Sequence, residues 1–189
     1  MPDLAPITAL GAETPRREAF GALTLTENAG LALASLALRR NASRPVPLGL
    51  DLPGPGGWAA GEGGAAFWTG PDQWMIAAEG RAEEDFAAAV KAAAPGCSVT
   101  EQTDAWAAFE ITSAAGPAPI VRLLEKTVNI DPEAFGPGSA QRTGLEHLSV
   151  FVIRPAEERL IVLGIRSAAG TLWHALETAA RNQDAEARR

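Results

Sequence analysis

The stretch from Ala66 to Ala77 restricts the fold of this chain more than any other. Ala66-Phe67-Trp68-Thr69 reads as a strand, Gly70-Pro71-Asp72-Gln73 as a turn, and Trp74-Met75-Ile76-Ala77 as the returning strand. Pro71 brings the fixed φ that suits the second position of such a turn. A tight turn between strands imposes antiparallel pairing. It also sets Trp68 and Trp74 where they can pack across the hairpin, so a structural role for the pair outweighs a ligand role.

The rest of the chain can be arranged around that hairpin. Residues 1–20 read as an irregular arm. Leu23 and Leu25 alternate with Thr24 and Thr26, a strand signal. Leu31, Leu33, Leu36 and Leu38 fit a strand better than a helix. Pro45, Pro47, Pro53 and Pro55 forbid a helix interior, so residues 45–64 read as a long connection. Residues 81–94 predict a helix with Glu83, Glu84 and Asp85 at its positive end, stopped by Pro95-Gly96. Residues 98–103 and 105–112 read as strands joined at Asp104. Gly116-Pro117 opens a helix whose apolar face carries Ile120, Val121, Leu124 and Val128. Residues 131–141 form another Pro/Gly-rich loop. Residues 148–153 and 160–165 predict a hairpin, and Ser167 suits the N-cap of a last helix bearing Leu172, Leu176 and Ala180. From residue 65 onward the order is ββαββαββα.

This pattern predicts an α+β fold, a mostly antiparallel sheet with helices packed on one face. A single domain spans 1–189: an N-terminal arm, strands and Pro/Gly-rich loop over 1–64, a core over 65–181, and a frayed tail over 182–189. The 189 residues are 47% hydrophobic, enough for one sizeable core.

Charge and cysteine content narrow the functional classes. The net charge of −7 disfavours a nucleic-acid partner, which would require clustered cations. A single cysteine, Cys97, excludes an intramolecular disulfide. The N-terminal residues lack the basic and apolar regions of a signal peptide, and no apolar run reaches the ~18 residues that span a bilayer. A cytoplasmic protein without membrane contact is expected.

Catalytic equipment is sparse. The two histidines, His147 and His174, lack the companion nitrogen and sulfur ligands of a zinc site. His147 and Ser149 share a strand face, but no G-x-S-x-G elbow presents the serine. Cys97 follows a helix C-terminus, where the dipole disfavours a thiolate. Gly54, Gly56, Gly57, Gly61, Gly63 and Gly64 are not followed by G-K-[ST] or a helix, so they read as a flexible loop rather than a phosphate cradle. Glu83/Glu84 and Glu157/Glu158 fall at solvated helix starts and turns, and Asp104 reads as a turn residue. No catalytic, cofactor-binding or metal residue is expected. Trp58, inside the Gly-rich loop, is the candidate partner contact, because tryptophan is enriched at binding hot spots.

An ordered set of short motifs resembles a known family. Trp68-Thr69-Gly70-Pro71-Asp72-Gln73-Trp74-Met75-Ile76 resembles the W-x-G-P-D-x-W-L-L signature of the gamma subunit of heterotetrameric sarcosine oxidase. Leu123-Leu124-Glu125-Lys126 with Ile130, Pro132 and Phe135 is similar to that family's L-L-x-K-G-x-x-x-D-L-x-P-x-x-F segment, with Thr127 and Asn129 departing from its usual Gly and Asp. Gly138, Gln141, Thr143 and Leu145 follow its G-x-x-x-Q-T-x-L run, and Ile165-Arg166-Ser167 with Leu172-Trp173 and Leu176 its closing V-R-S and L-W-x-x-L element. Trp68, Gly70, Pro71, Asp72, Trp74, Phe135, Thr143, Arg166 and Ser167 are read as structural positions.

The resemblance implies a fold like the folate-binding domain of the aminomethyltransferases (T-proteins). It implies a non-catalytic gamma subunit that stabilises a complex with alpha, beta and delta subunits. That complex demethylates sarcosine oxidatively to glycine with tetrahydrofolate and oxygen. FAD, FMN, NAD, zinc and tetrahydrofolate would then belong to the partner subunits, with no cofactor in this chain. The alternative is a free-standing folate-binding or aminomethyltransferase-like module of one-carbon metabolism.

Overall fold

The structure is a computed structural model that describes residues 6–188. Residues 1–5 of the expected arm and Arg189 of the expected tail lie outside the described residues. The first sheet runs in the order β1 (Arg17–Phe20), β2 (Leu23–Glu27), β8 (Trp106–Ser113), β11 (Arg159–Ile165), β10 (Leu148–Ala156) and β9 (Ser139–Leu145). The second runs β4 (Trp58–Gly61), β5 (Gly64–Gly70), β6 (Gln73–Ala78), β3 (Ala32–Leu38) and β7 (Cys97–Glu101). Every neighbouring pair of strands in both sheets is antiparallel. Three α-helices are present among the described residues: α1 (Phe86–Ala93), α2 (Ala118–Thr127) and α3 (Ala169–Ala187).

The alternation of side chains along the strands explains how these elements stack. On β8, Phe109 and Ile111 face a cluster with Ile120 and Leu124 of α2 and Leu172, Trp173 and Leu176 of α3, while Ala108 faces the other way. On β6, Trp74 and Ile76 face Phe86 and Val90 of α1, while Met75 and Ala77 face back. The inward sides meet in a third cluster of Leu31, Leu33, Phe67, Met75, Phe151, Ile153, Ile161 and Leu163. The layers are therefore α2/α3, first sheet, second sheet, α1. Each large side chain removed from water contributes about 1.5–3 kcal/mol. Phe109 meets Trp173 edge-on at 5.5 Å between ring centroids, fixing α3 against its sheet.

The α+β class with antiparallel pairing and helices on the outer face of a sheet is as expected. The central hairpin is β5–β6, with Trp68 registered opposite Trp74. Asp72 takes a positive φ of 56°, which a short polar side chain tolerates, and its carbonyl accepts a hydrogen bond from the Leu38 N–H. Several local readings need correction. Residues 17–20 form β1, not part of an irregular arm. The Pro/Gly-rich connection contains β4. The loop over 131–141 ends in the start of β9. The strands joined at Asp104 do not pair with each other: β7 pairs with β3 and β8 with β2 and β11. α1 is shorter than expected and starts at an Asp85 cap, whose Oδ1 accepts from the Ala88 N–H at 3.0 Å. Ser167 is not the N-cap of α3; it sits in a 3-10 turn over Arg166–Ala168, and Ala168 caps the helix without a side-chain bond. Helix α3 continues to Ala187, past the point where fraying was expected. It is tied to α2 by the buried Gln183, whose Nε2 donates to the Pro119 carbonyl at 3.1 Å.

Candidate functional site

A gap between the sheets opens at the end where β4 turns into β5. It is a cleft of about 400 Å³ with apolar walls from Leu31, Leu33, Phe67, Ile153, Ile161 and Leu163. Its rim carries Glu62, Glu79, Arg81 and Arg159. Arg159 lies 2.7 Å from Glu110 and 3.7 Å from Glu79, and Arg81 lies 2.7 Å from Glu84, so both cations are engaged within the chain. Trp58 forms part of the wall. It is not a side chain in a loop without a core: it stands on β4 opposite Phe67, half-buried against the inter-sheet cluster. One side of the indole remains on the cleft, which is compatible with a contact to another molecule.

The residues set down as structural positions separate into groups. Trp74 is buried, and its indole Nε1 donates to the Pro53 carbonyl at 2.8 Å, pinning the Pro-rich connection to the second sheet. Trp68 is half-buried and lines a second cleft of about 420 Å³ with Thr69, Phe135, Gln141, Arg142 and Phe151. Motif residues distant in sequence thus meet at the seam where β5 passes β9. Phe135 is buried, and its carbonyl accepts from Nη1 of Arg154 at 2.8 Å. Gly70 pairs with Gln73 across the turn occupied by Pro71 and Asp72. Thr143 is half-buried on β9. Arg166 donates from Nη2 to the Ile7 carbonyl at 3.0 Å and holds the arm to the end of the first sheet, while Ser167 is exposed.

Sequence reasoning missed two buried charges. Arg154 is 3% exposed; besides Phe135 it reaches the Glu157 carboxylate at 2.9 Å. Glu27 is also 3% exposed and accepts from the Leu10 N–H at 2.9 Å and the Arg16 N–H at 3.2 Å. Both serve the backbone of irregular segments that lack ladder partners. Alternation gave no sign of Arg154, because it occupies a position in an otherwise apolar strand where a neutral residue would ordinarily sit.

The groups weighed for chemistry fall as follows. His147 and His174 are exposed and share a groove of about 700 Å³ with Lys126, Thr171, Thr178 and Asn182. No group of three or more His, Cys, Asp or Glu among the described residues is placed to hold a metal ion. Ser149 accepts from Nε of Arg142 at 2.9 Å. Cys97 is buried; burial pushes its thiol up, against the opposing pull of Lys91 and Arg39. Burial also opposes ionisation of Glu101, but the Thr103 hydroxyl and the N–H groups of Ala87, Thr103 and Gln102 outweigh it and hold the carboxyl below its ordinary range. Asp104 lies in a 3-10 turn, 3.7 Å from Arg166, and Asp131 accepts from the Glu133 N–H at 3.0 Å. Gly54 to Gly57 form a turn closed by the Gly57 N–H on the Gly54 carbonyl at 3.0 Å, followed by β4 rather than a helix. No helix among the described residues is long and apolar enough to cross a membrane.

No protein-family model matches the sequence. No curated protein matches it. Solved structures do match the fold. A chain of heterotetrameric sarcosine oxidase from Corynebacterium sp. U-96, in complex with pyrrole 2-carboxylate, superposes with a TM-score of 0.72 at 23% identity, covering 87% of each chain. Glycine cleavage system aminomethyltransferase T from Bartonella henselae superposes with a TM-score of 0.56 at 15% identity, covering 85% of this chain and 49% of the aminomethyltransferase. The chain therefore has the α+β fold that the motifs implied, the one found in a heterotetrameric sarcosine oxidase chain and in about half of an aminomethyltransferase.

Proposed function

We propose that this chain is a non-catalytic, gamma-type subunit of a heterotetrameric sarcosine oxidase, holding together a complex whose other subunits carry the flavins, NAD, zinc and folate. The observation that carries the reading is the match along 87% of both chains to a chain of such an oxidase, joined to the ordered motif set at Trp68–Trp74, Phe135, Gln141–Thr143 and Arg166. The side chains favour support over chemistry. Arg159, Arg81 and Arg154 at or near clefts are paired within the chain, and Cys97 is buried with its thiol pushed up. The reaction assigned to the whole complex is oxidative demethylation of sarcosine to glycine with tetrahydrofolate and oxygen.

Removal and restoration of the subunit test this. Deleting the chain from its native host should leave a sarcosine-oxidising complex that falls apart during gel filtration, and adding the purified chain back should restore the large species. The isolated chain should give no heat on titration with tetrahydrofolate. Saturable folate binding by the isolated chain would favour the free-standing one-carbon module instead.

A further inference from the structure

Edge strands expose backbone groups that seek a partner, and β9 is the edge of the first sheet. Its first part is already used. Gly57 bridges to Ser139, the Ala140 N–H donates to the Gly56 carbonyl at 2.9 Å, and the Trp58 N–H donates to the Gly138 carbonyl at 2.7 Å. The edge therefore accepts an antiparallel segment. That segment ends there, because the Gly57 N–H closes a turn on the Gly54 carbonyl at 3.0 Å. The chain instead turns away, with the Pro53 carbonyl held by Trp74. At the other end, Val128 bridges to Leu145. Residues 141–144 between these closures have no strand on their outer side among the described residues. Alternation sets the N–H and C=O of Arg142 and Gly144 outward, like those of Ala140. The bridge at Leu145 engages the outward side of Gly144, and the Ala140 N–H is already donated, so Arg142 is the position whose N–H and C=O both face the open side.

Two side-chain features specify what fits there. The cleft of about 420 Å³ beside Trp68, Phe135 and Phe151 borders this position. The exposed Arg142 guanidinium lies 5.7 Å from the Phe151 ring centroid and donates to Ser149, with no carboxylate paired to it among the described residues. Among the described residues it stays without a counter-ion. A second copy of β9 would bring like charges together, which disfavours self-pairing.

We propose that the β9 edge at Arg142 receives a short extended segment of a partner subunit, paired antiparallel to it. A carboxylate of that segment sits against Arg142, and an apolar side chain enters the cleft beside Trp68. The identity of the partner rests on the gamma-subunit reading; the edge, the cation and the cleft do not.

The test uses the full tagged chain expressed in its native host, with flavin absorbance and sarcosine-dependent peroxide formation of the eluate as readouts of capture. Arg142→Pro removes the outward N–H at an edge position where proline is tolerated. Arg142→Glu reverses the charge and leaves the backbone intact. Both variants are checked by thermal unfolding of the isolated chain, and if Arg142→Pro does not fold, Arg142→Glu decides alone. The expected result is about a tenfold fall in capture for each folded variant, the loss of roughly one hydrogen-bonded contact. Full capture by the folded variants overturns the inference and leaves the gamma-subunit reading standing. No flavin-containing partner with the wild-type chain overturns both. An isolated chain that sediments as a dimer, and as a monomer once Arg142 is replaced by Pro, assigns the edge to a second copy and also overturns it.

Discussion

Gly64→Ala is the substitution whose effect the structure specifies most sharply. Gly64 starts β5 at a φ of +139°, and a Cβ placed there would stand 2.3 Å from the Ala77 carbonyl oxygen. Ala77 has little room to retreat, since it is registered with Leu33 on one side and Ala65 on the other. The backbone conformation alone costs an L residue about 1–3 kcal/mol. Relieving the overlap loosens the last pair of the hairpin, Gly61 with Gly64, at about 0.5–1.5 kcal/mol per hydrogen bond lost. Reduced freedom of the unfolded chain offsets about 0.4–1 kcal/mol of this. The net loss is about 2 kcal/mol, a fall in Tm of roughly 4–8 °C for a domain of this size. Urea unfolding followed by circular dichroism measures it. Gly136→Ala is the control, because a methyl group added at Gly136 would meet no atom within 4 Å and the residue has no positive φ. A Gly64→Ala protein as stable as the Gly136→Ala protein would show that neither the backbone strain nor the overlap with Ala77 operates.

Three further outcomes are expected. Arg154→Met should lower stability by about 1–3 kcal/mol, because it leaves the Phe135 carbonyl buried without its donor; denaturant unfolding checks this, and Glu157→Gln, at the exposed end of the same pair, should do far less. Because hydrogen bonds hold the Glu101 carboxyl below its ordinary range, its stabilising contribution is present above the unfolded-state value near about 4.3 and disappears as pH falls through the lower folded-state value. The Glu101→Gln protein should therefore show a shallower loss of Tm across the acid range than the parent. Trp58→Ala should lower the stability of the isolated chain by about 1–2 kcal/mol, as fits a half-buried side chain, and weaken assembly more than folding. An intact complex together with a reduced Tm would place Trp58 among purely structural residues.

What could be read from the residues divides along a physical line. The β5–β6 hairpin was legible because Gly70-Pro71-Asp72-Gln73 is a local turn and its flanks are aromatic and apolar. Helix α2 was legible because Pro117 and the spacing of Ile120 and Leu124 are local too. β4 was hidden because Trp58-Ala-Ala-Gly has weak strand propensity and becomes a strand only by pairing with β5 at an edge. β9 was hidden because its edge position leaves Gln141, Arg142 and Gly144 exposed, without the alternation of a half-buried strand. The strands on either side of Asp104 look like a hairpin locally. Their separation into different sheets depends on β3 and β11, which lie far away in sequence. The two histidines met in one groove for the same reason: the β9–β10 turn and α3 are brought together by tertiary packing alone. The clefts beside Trp58 and Trp68 are lined by residues from strands of both sheets, so no short motif announces them.

We propose that this chain works as one part of a larger oxidase. Native mass spectrometry of the protein purified from its host under mild conditions tests it most directly. The expected species is a heterotetramer containing one copy of this chain with flavin-bearing subunits, active on sarcosine. Recovery of the chain alone, or only with copies of itself, from a host that oxidises sarcosine would contradict it.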